Sequence, residues 1–250
     1  MCLGYEKNMN ILMVGDAAFA GENLVKGLKQ RGHTVFHVQV FSWFDIFHKK
    51  YDGFCFDVVH IHIPNFKKLL MVWRYVFRYL FFRDKHVKIV CHWHGSDLRH
   101  PLKTFPVYRF FQRFGDFHLY STLDLRWWLK WVSEDRKMLF TCPVDTMLFK
   151  SDGGVKEGNV VFRGGGKSFK DHRIPHDKMS GYLNRFSVVD VFNADGLDDG
   201  LLSVVAMEAV CCGCRVNQLP GLTRQWVVDN ASIDVQTEKL LSVYGKVLNG

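Results

Sequence analysis

Short, nearly uninterrupted apolar runs recur along the chain, each followed by a glycine-bearing or polar loop and then by a segment with helical apolar spacing. The first run, Asn10-Ile-Leu-Met-Val14, stops at Gly15-Asp-Ala-Ala-Phe-Ala-Gly21, and an amphipathic segment follows over 22–29. Gly32 closes that helix in Arg31-Gly-His33, and Thr34 to Val40 returns to a strand pattern, which completes a βαβ unit. Further strands are expected at 57–63, 87–91, 117–121 and 137–141, with helices over 67–83 and 123–132. The second helix carries Trp127, Trp128 and Trp131, which are expected to pack inward. Continuous β-branched runs of this kind belong to parallel strands buried on both faces.

After Cys142-Pro-Val-Asp145 the periodicity fades to residue 158, as a linker would, and then restarts. Strands are expected at 159–162, 188–193 and 215–218, and helices over 178–184, 202–212 and, after the polar stretch 229–234, 237–248. Two consecutive α/β units imply two Rossmann-like domains facing a cleft, 1–145 and 146–236, with a terminal helix at 237–250 that returns to the first. No internal repeat of solenoid period is present.

Composition narrows the partners. With 250 residues, a 48% hydrophobic share, 23% charged residues and 22 Phe, the chain is neither disordered nor collagen-like. The 33 Lys and Arg outnumber the 25 Asp and Glu, for a net charge of +8, and point to nucleic acid, an anionic membrane surface or a phosphorylated ligand. The most apolar stretch, 69–82, is broken by Arg74 and Arg78, so a spanning helix is not expected there. Seven irregularly spaced Cys and an opening segment without a basic and apolar leader pattern predict a cytoplasmic protein.

Parallel sheets bind ligands beyond the carboxyl ends of their strands, so the loops opening at Gly15, Pro64, His92, Ser121, Gly164 and Ala194 are where chemistry is expected. Gly15 and Asp16 lie in a cleft loop that lets a ligand approach the backbone, but its spacing is not that of a dinucleotide fingerprint. The loop after Cys91 concentrates His92, His94, Ser96, Asp97, Arg99 and His100, and Gly95 permits a sharp turn that presents His94. The pairs His60/His62 and His92/His94 each share a strand face, as zinc ligands do, yet neither has Cys or carboxylate partners at zinc-site spacing, so no metal is expected. Arg163-Gly-Gly-Gly-Lys167-Ser-Phe-Lys170 combines a glycine nest with the cations a diphosphate needs, or else forms a hairpin with a solvated basic rim. Gly200 precedes an apolar helix whose first amides, at Leu201, Leu202 and Ser203, form an anion site. Glu208 lies two turns along among Ala and Met, where it needs either a hydroxyl-rich ligand or an ion pair with Arg215 or Arg224. Cys211 and Cys214 have C-x-x-C spacing without a second pair and are read as small packing residues.

Together these stretches resemble the retaining glycosyltransferases of family four, which have the GT-B fold. The resemblance runs through 10–40, Lys88-Ile-Val-Cys-His-Trp-His-Gly-Ser-Asp-Leu98, Cys142-Pro-Val-Asp-Thr-Met-Leu-Phe149, 174–183, 188–192 and the helix from Gly200 to Gly213. It implies transfer of a hexose from a nucleotide diphosphate sugar, with retained anomeric configuration and no metal or other cofactor. GDP-mannose is slightly favoured as donor over a UDP-hexose, and the acceptor is a glycan, lipid-linked or protein-linked group. By position, Glu208 matches the family's second glutamate, on the ribose hydroxyls, and His94 the histidine beside the donor sugar. Lys167, Lys170 and Arg163 fall at the diphosphate, and the amides of 201–203 meet sugar and phosphate. The family's first glutamate falls on Gly200, with Asp199 one residue earlier as its stand-in, and the segment between Lys170 and Pro175 is too short for the family's usual elements, so the C-terminal domain is trimmed.

Other readings stay open beside it. A degenerate relative could bind the donor and transfer poorly, as Gly200 invites. The basic aromatic stretch 67–83 fits peripheral membrane contact better than nucleic acid, and the aromatic content is compatible with a homodimer.

Overall fold

The computed structural model describes residues 8–16, 19–38, 55–62, 87–94, 101–163, 176–192, 204–217 and 219–250, with backbone alone at 101–107, 162–163 and 191–192. The chain divides into two compact units, 1–140 with 237–250, and 141–236.

In the first unit, strands β1 (Asn10–Val14), β2 (Thr34–Val38), β3 (Val58–His62), β4 (Lys88–Trp93), β5 (Phe117–Tyr120) and β6 (Lys137–Leu139) form a parallel sheet of order β2-β1-β3-β4-β5-β6. Helix α1 (Ala20–Gln30) crosses from β1 to β2, and α2 (Pro101–Phe114) and the single turn α3 (Leu125–Trp128) lie between later strands. Strand order reverses between β1 and β3, and the carboxyl ends of strands flanking such a reversal are where open sheets bind ligands.

Side-chain alternation divides the core of this unit into two layers. Leu12, Val14, Val59, Ile61, Ile89, Cys91 and Trp93 face one layer with Phe111, Leu125, Leu129 and Val132. Ile11, Met13, Val58 and Val90 face the other, closed by Leu24 and Leu28 of α1 and by Leu240, Tyr244 and Val247 of the terminal helix α7 (Ile233–Asn249). The whole of β3 and all of β4 but Lys88 are buried, as strands covered on both faces must be.

Of the three tryptophans expected to pack inward, only Trp128 does, and the expectation is overturned for Trp127 and Trp131. Leu125, Leu129 and Val132, at i, i+4 and i+7, fill the core, which turns Trp127 and Trp131 outward at 61% and 65% exposure, while Trp128 stays partly buried. The helix itself shrinks to the single turn α3, and in the segment that follows it the buried Lys137 ammonium donates to Leu129 O at 3.0 Å and Val132 O at 2.9 Å.

The second unit holds a three-stranded parallel sheet, β7 (Asn159–Arg163), β8 (Val188–Phe192) and β9 (Arg215–Val216), in that order. Helices α4 (His176–Leu183), α5 (Val204–Cys211) and α6 (Arg224–Ala231) accompany it. Every residue of α5 from Val205 to Cys211 is buried, so the helix sits in the core rather than on it, with Met179, Leu183, Val189 and Val227 around it. Cys214, buried, donates its thiol to the carbonyls of Leu183 and Phe186, which makes it the packing residue its small size predicts. The stretch 229–234, expected to be a polar connection, instead contains the end of α6 and the start of α7; the Thr223 hydroxyl caps α6 by accepting from Trp226 N at 3.1 Å. The helix expected over 67–83 lies outside the described residues.

Candidate functional site

In the first unit the carboxyl ends of β1, β3 and β4 carry the loop chemistry. Gly15 takes φ +82°, a left-handed conformation that suits glycine, and its amide donates to Val38 O at 2.7 Å. The chain therefore turns at once, and the Asp16 carboxylate accepts from Gly21 N at 2.9 Å and Glu22 N at 3.3 Å. Asp16 thus places its own negative charge at the start of α1, where an anionic ligand would otherwise sit. The spacing of Gly21 is explained by the same turn, since a Cβ there would stand 3.0 Å from Gly15 O.

Four histidines meet at β3 and β4. The parallel register sets His62 beside His92, and two-residue alternation puts His60 and His94 on the same sheet face. His94 Nε2 lies 3.0 Å from His62 Nδ1, and His94 Nδ1 lies 3.1 Å from Ser121 Oγ. Ser121 Oγ also lies 3.3 Å from His92 Nε2. The rings lie close, with centroids 4.0 Å apart for the tilted pair His92 and His94, and 4.7 Å apart both for the stacked pair His60–His62 and for the tilted pair His62–His92. At the inner end, Tyr244 Oη of α7 is 2.7 Å from His60 Nδ1. Both ring nitrogens of His94 are therefore engaged, so a substrate hydroxyl reaching this residue exchanges with Ser121 or His62 rather than meeting an idle nitrogen.

Burial, aided by the neighbouring His94 charge, pushes His60 down to about 3 and holds His92 well below the ordinary histidine range. Both are neutral imidazoles at physiological pH. The Tyr244 hydroxyl is raised well above its usual value by burial and stays protonated.

In the second unit, Glu208 of α5 is 1% exposed. Its Oε1 is 3.1 Å from His176 Nε2 at the start of α4, and the His176 ring packs 5.3 Å from that of Phe149. The ion pair with Arg215 or Arg224 is not formed; His176, which sequence reasoning passed over, takes that place because α4 starts beside α5. Burial raises the Glu208 carboxyl, opposed by the His176 hydrogen bond and charge. Its second oxygen, Oε2, is buried without a hydrogen-bond partner among the described residues, an expensive condition for a carboxyl group.

Of the remaining candidates, Arg163 ends β7, with backbone alone described. Lys167, Lys170, Asp199, Gly200, Leu201, Leu202 and Ser203 lie outside the described residues.

The only three-residue group of His, Cys, Asp or Glu with metal-ligand proximity among the described residues is His60, His62 and His92. Each pair looks incomplete in the sequence because its partners are the other pair, brought alongside by strand register. When the whole chain is compared with known proteins, no protein-family model matches it and no curated protein does either.

Proposed function

We propose that the chain is a retaining, metal-independent glycosyltransferase that moves a hexose from a nucleotide diphosphate sugar, GDP-mannose before a UDP-hexose, to a glycan, lipid-linked or protein-linked acceptor. The observation that carries this reading is Glu208, whose buried Oε2 has no partner among the described residues and would accept hydrogen bonds from a pair of ribose hydroxyls. The helix that carries it follows a parallel strand and a glycine-bearing segment, the arrangement that aims backbone amides at phosphate. His176 fixes one carboxylate oxygen and so aims the other.

Cleaving a glycosyl phosphate builds negative charge on the departing diphosphate, so the largest rate term comes from cations and amides fixed beforehand around it. Arg163, Lys167 and Lys170 supply the cations in this reading, and the amides of Leu201, Leu202 and Ser203 supply the dipoles. An acceptor attacking from the leaving-group face passes its proton to a phosphate oxygen, and no protein base is needed. His94, held on both sides by Ser121 and His62, serves as a rigid contact for the sugar, and Asp199 stands in for the carboxylate missing at Gly200.

Incubating the protein with GDP-mannose, UDP-glucose and UDP-N-acetylglucosamine in EDTA, and following nucleoside diphosphate release, tests the reaction. Release from one donor at a rate that saturates supports it; no release from any, with or without a glycan acceptor mixture, refutes the enzymatic reading and leaves the binding-only relative.

One observation favours surface contact as a second property. Trp127 and Trp131 are exposed, Lys130 Nζ lies 4.5 Å and 5.4 Å from their ring centroids, and Arg109 lies 5.2 Å from that of Trp131. Exposed indoles interleaved with cations suit the headgroup layer of an acidic membrane. Among the described residues, no helix is long and apolar enough to cross a membrane.

A further inference from the structure

The histidine cluster of the first unit carries more than His94 uses. A ring nitrogen of each of His60, His62 and His92 lies within 4.8 Å of those of the other two. All three side chains are fully buried, and His60 Nε2 and His92 Nδ1 have no hydrogen-bond partner among the described residues. Two buried imidazole nitrogens without a partner among the described residues are costly unless something binds them.

The hydrogen-bond network permits one consistent set of tautomers in which every outer nitrogen donates and every inner one is a lone pair. His60 Nδ1–H donates to Tyr244 Oη, and His92 Nε2–H and His94 Nδ1–H both donate to Ser121 Oγ. His62 Nδ1–H donates to His94 Nε2. That leaves lone pairs without a partner among the described residues at His60 Nε2 and His92 Nδ1, while His62 Nε2 lies 3.2 Å from the Met13 thioether, a contact a metal ion would replace. Outward N–H donation to a hydroxyl, carbonyl or neighbouring ring is how metal-bound histidines are oriented.

We infer that His60, His62 and His92 bind a first-row transition-metal cation of the zinc class, with Tyr244, Ser121 and His94 as the groups that hold their rings. Neutral nitrogen donors without a carboxylate select such ions over magnesium or calcium. Tetrahedral ligation at about 2.0–2.1 Å draws the nitrogens to about 3.3 Å apart, a small inward rotation of each ring. Held among three fully buried histidines, the ion ties β3 to β4 and, through the His60–Tyr244 contact, to α7, with the fourth position of the tetrahedron left to a water. The inference concerns the first unit and stands apart from the donor reading, which rests on Glu208 in the second.

The test uses the full chain, stripped with EDTA and then freed of it, and titrated with Zn²⁺ against a chromophoric chelator. One equivalent with Kd below about 1 μM is expected. His60→Gln and His92→Gln should each weaken it at least 100-fold. Ser121→Ala, a milder change, should weaken it about 10-fold through His92 and keeps the test decisive if the histidine variants fail to fold. Co²⁺ in place of Zn²⁺ should give the visible absorption of a tetrahedral nitrogen site, lost in the same variants. A Kd above about 1 μM for the wild-type chain, or an affinity unchanged by Ser121→Ala and His92→Gln, overturns the inference.

Discussion

Mild acid should destabilise this protein, because its buried histidines must take up protons to unfold. His60 and His118 are pushed down to about 3, by burial first and then by the charges of His94 and Arg136 respectively, and His92 lies well below the ordinary range for the same first reason. Each is neutral when folded and, once unfolded, regains an ordinary pKa near 6.5. Between pH 6.5 and 3 the unfolded chain therefore binds more protons than the folded one, so stability falls as pH falls through that window. From pH 7.5 to 5.5 each group costs on the order of 1 kcal/mol, and the three together a few kcal/mol, against a typical total of about 5–15 kcal/mol. His33, lowered by burial and by Arg31, adds in the same direction. Glu208, raised by burial, acts in the opposite sense as pH rises above 4.5, and it belongs to the second unit. The lowered carboxyls of Glu134 and Asp135 titrate below pH 4.5, outside the range compared. Urea denaturation in EDTA at half-unit steps from pH 7.5 to 5.5, followed by far-ultraviolet circular dichroism, gives the slope directly. Stability that changes by less than about 1 kcal/mol over that range refutes the neutral, buried assignment of the three histidines.

Three further outcomes are expected. His94→Ala should lower donor turnover at least about 10-fold while leaving donor Kd within about two-fold, measured by steady-state kinetics beside calorimetry, if the residue meets the reacting sugar as proposed. Thr223→Ala removes the cap hydrogen bond to Trp226 N and should cost about 1 kcal/mol of stability in urea denaturation. Replacing both exposed indoles, Trp127→Ala with Trp131→Ala, should abolish sedimentation with phosphatidylserine-containing vesicles and leave stability unchanged; sedimentation that persists would remove α3 from any membrane contact.

Strands were the most legible part of the chain, because those buried on both faces must be continuous apolar runs, and Asn10–Val14, Val58–His62 and Lys88–Trp93 lie within or close to the expected ranges. Two helices gave a weak signal. Pro101–Phe114 carries Pro106 within its span, which interrupts the helical pattern, and Arg224–Ala231 buries only Val227 and Ala231, too few for periodicity; its clue was the cap at Thr223. Trp127 and Trp131 carry no local signal of which face turns inward; the helical spacing of Leu125, Leu129 and Val132 decides it. For the sites, sequence spacing singled out Glu208 but not His176, which is 32 residues away and meets it only through tertiary packing. The histidine pairs were visible, whereas their convergence depends on the β3–β4 register, a property of the sheet and of no local stretch of sequence.

The central claim is that Glu208 waits for the hydroxyls of a sugar nucleotide. Calorimetry of the full chain in EDTA against UDP-, GDP- and ADP-sugars should show one of them binding, with Glu208→Gln weakening that donor about 10- to 100-fold while the fold is retained. No heat from any donor, or an affinity that Glu208→Gln leaves unchanged, would contradict it.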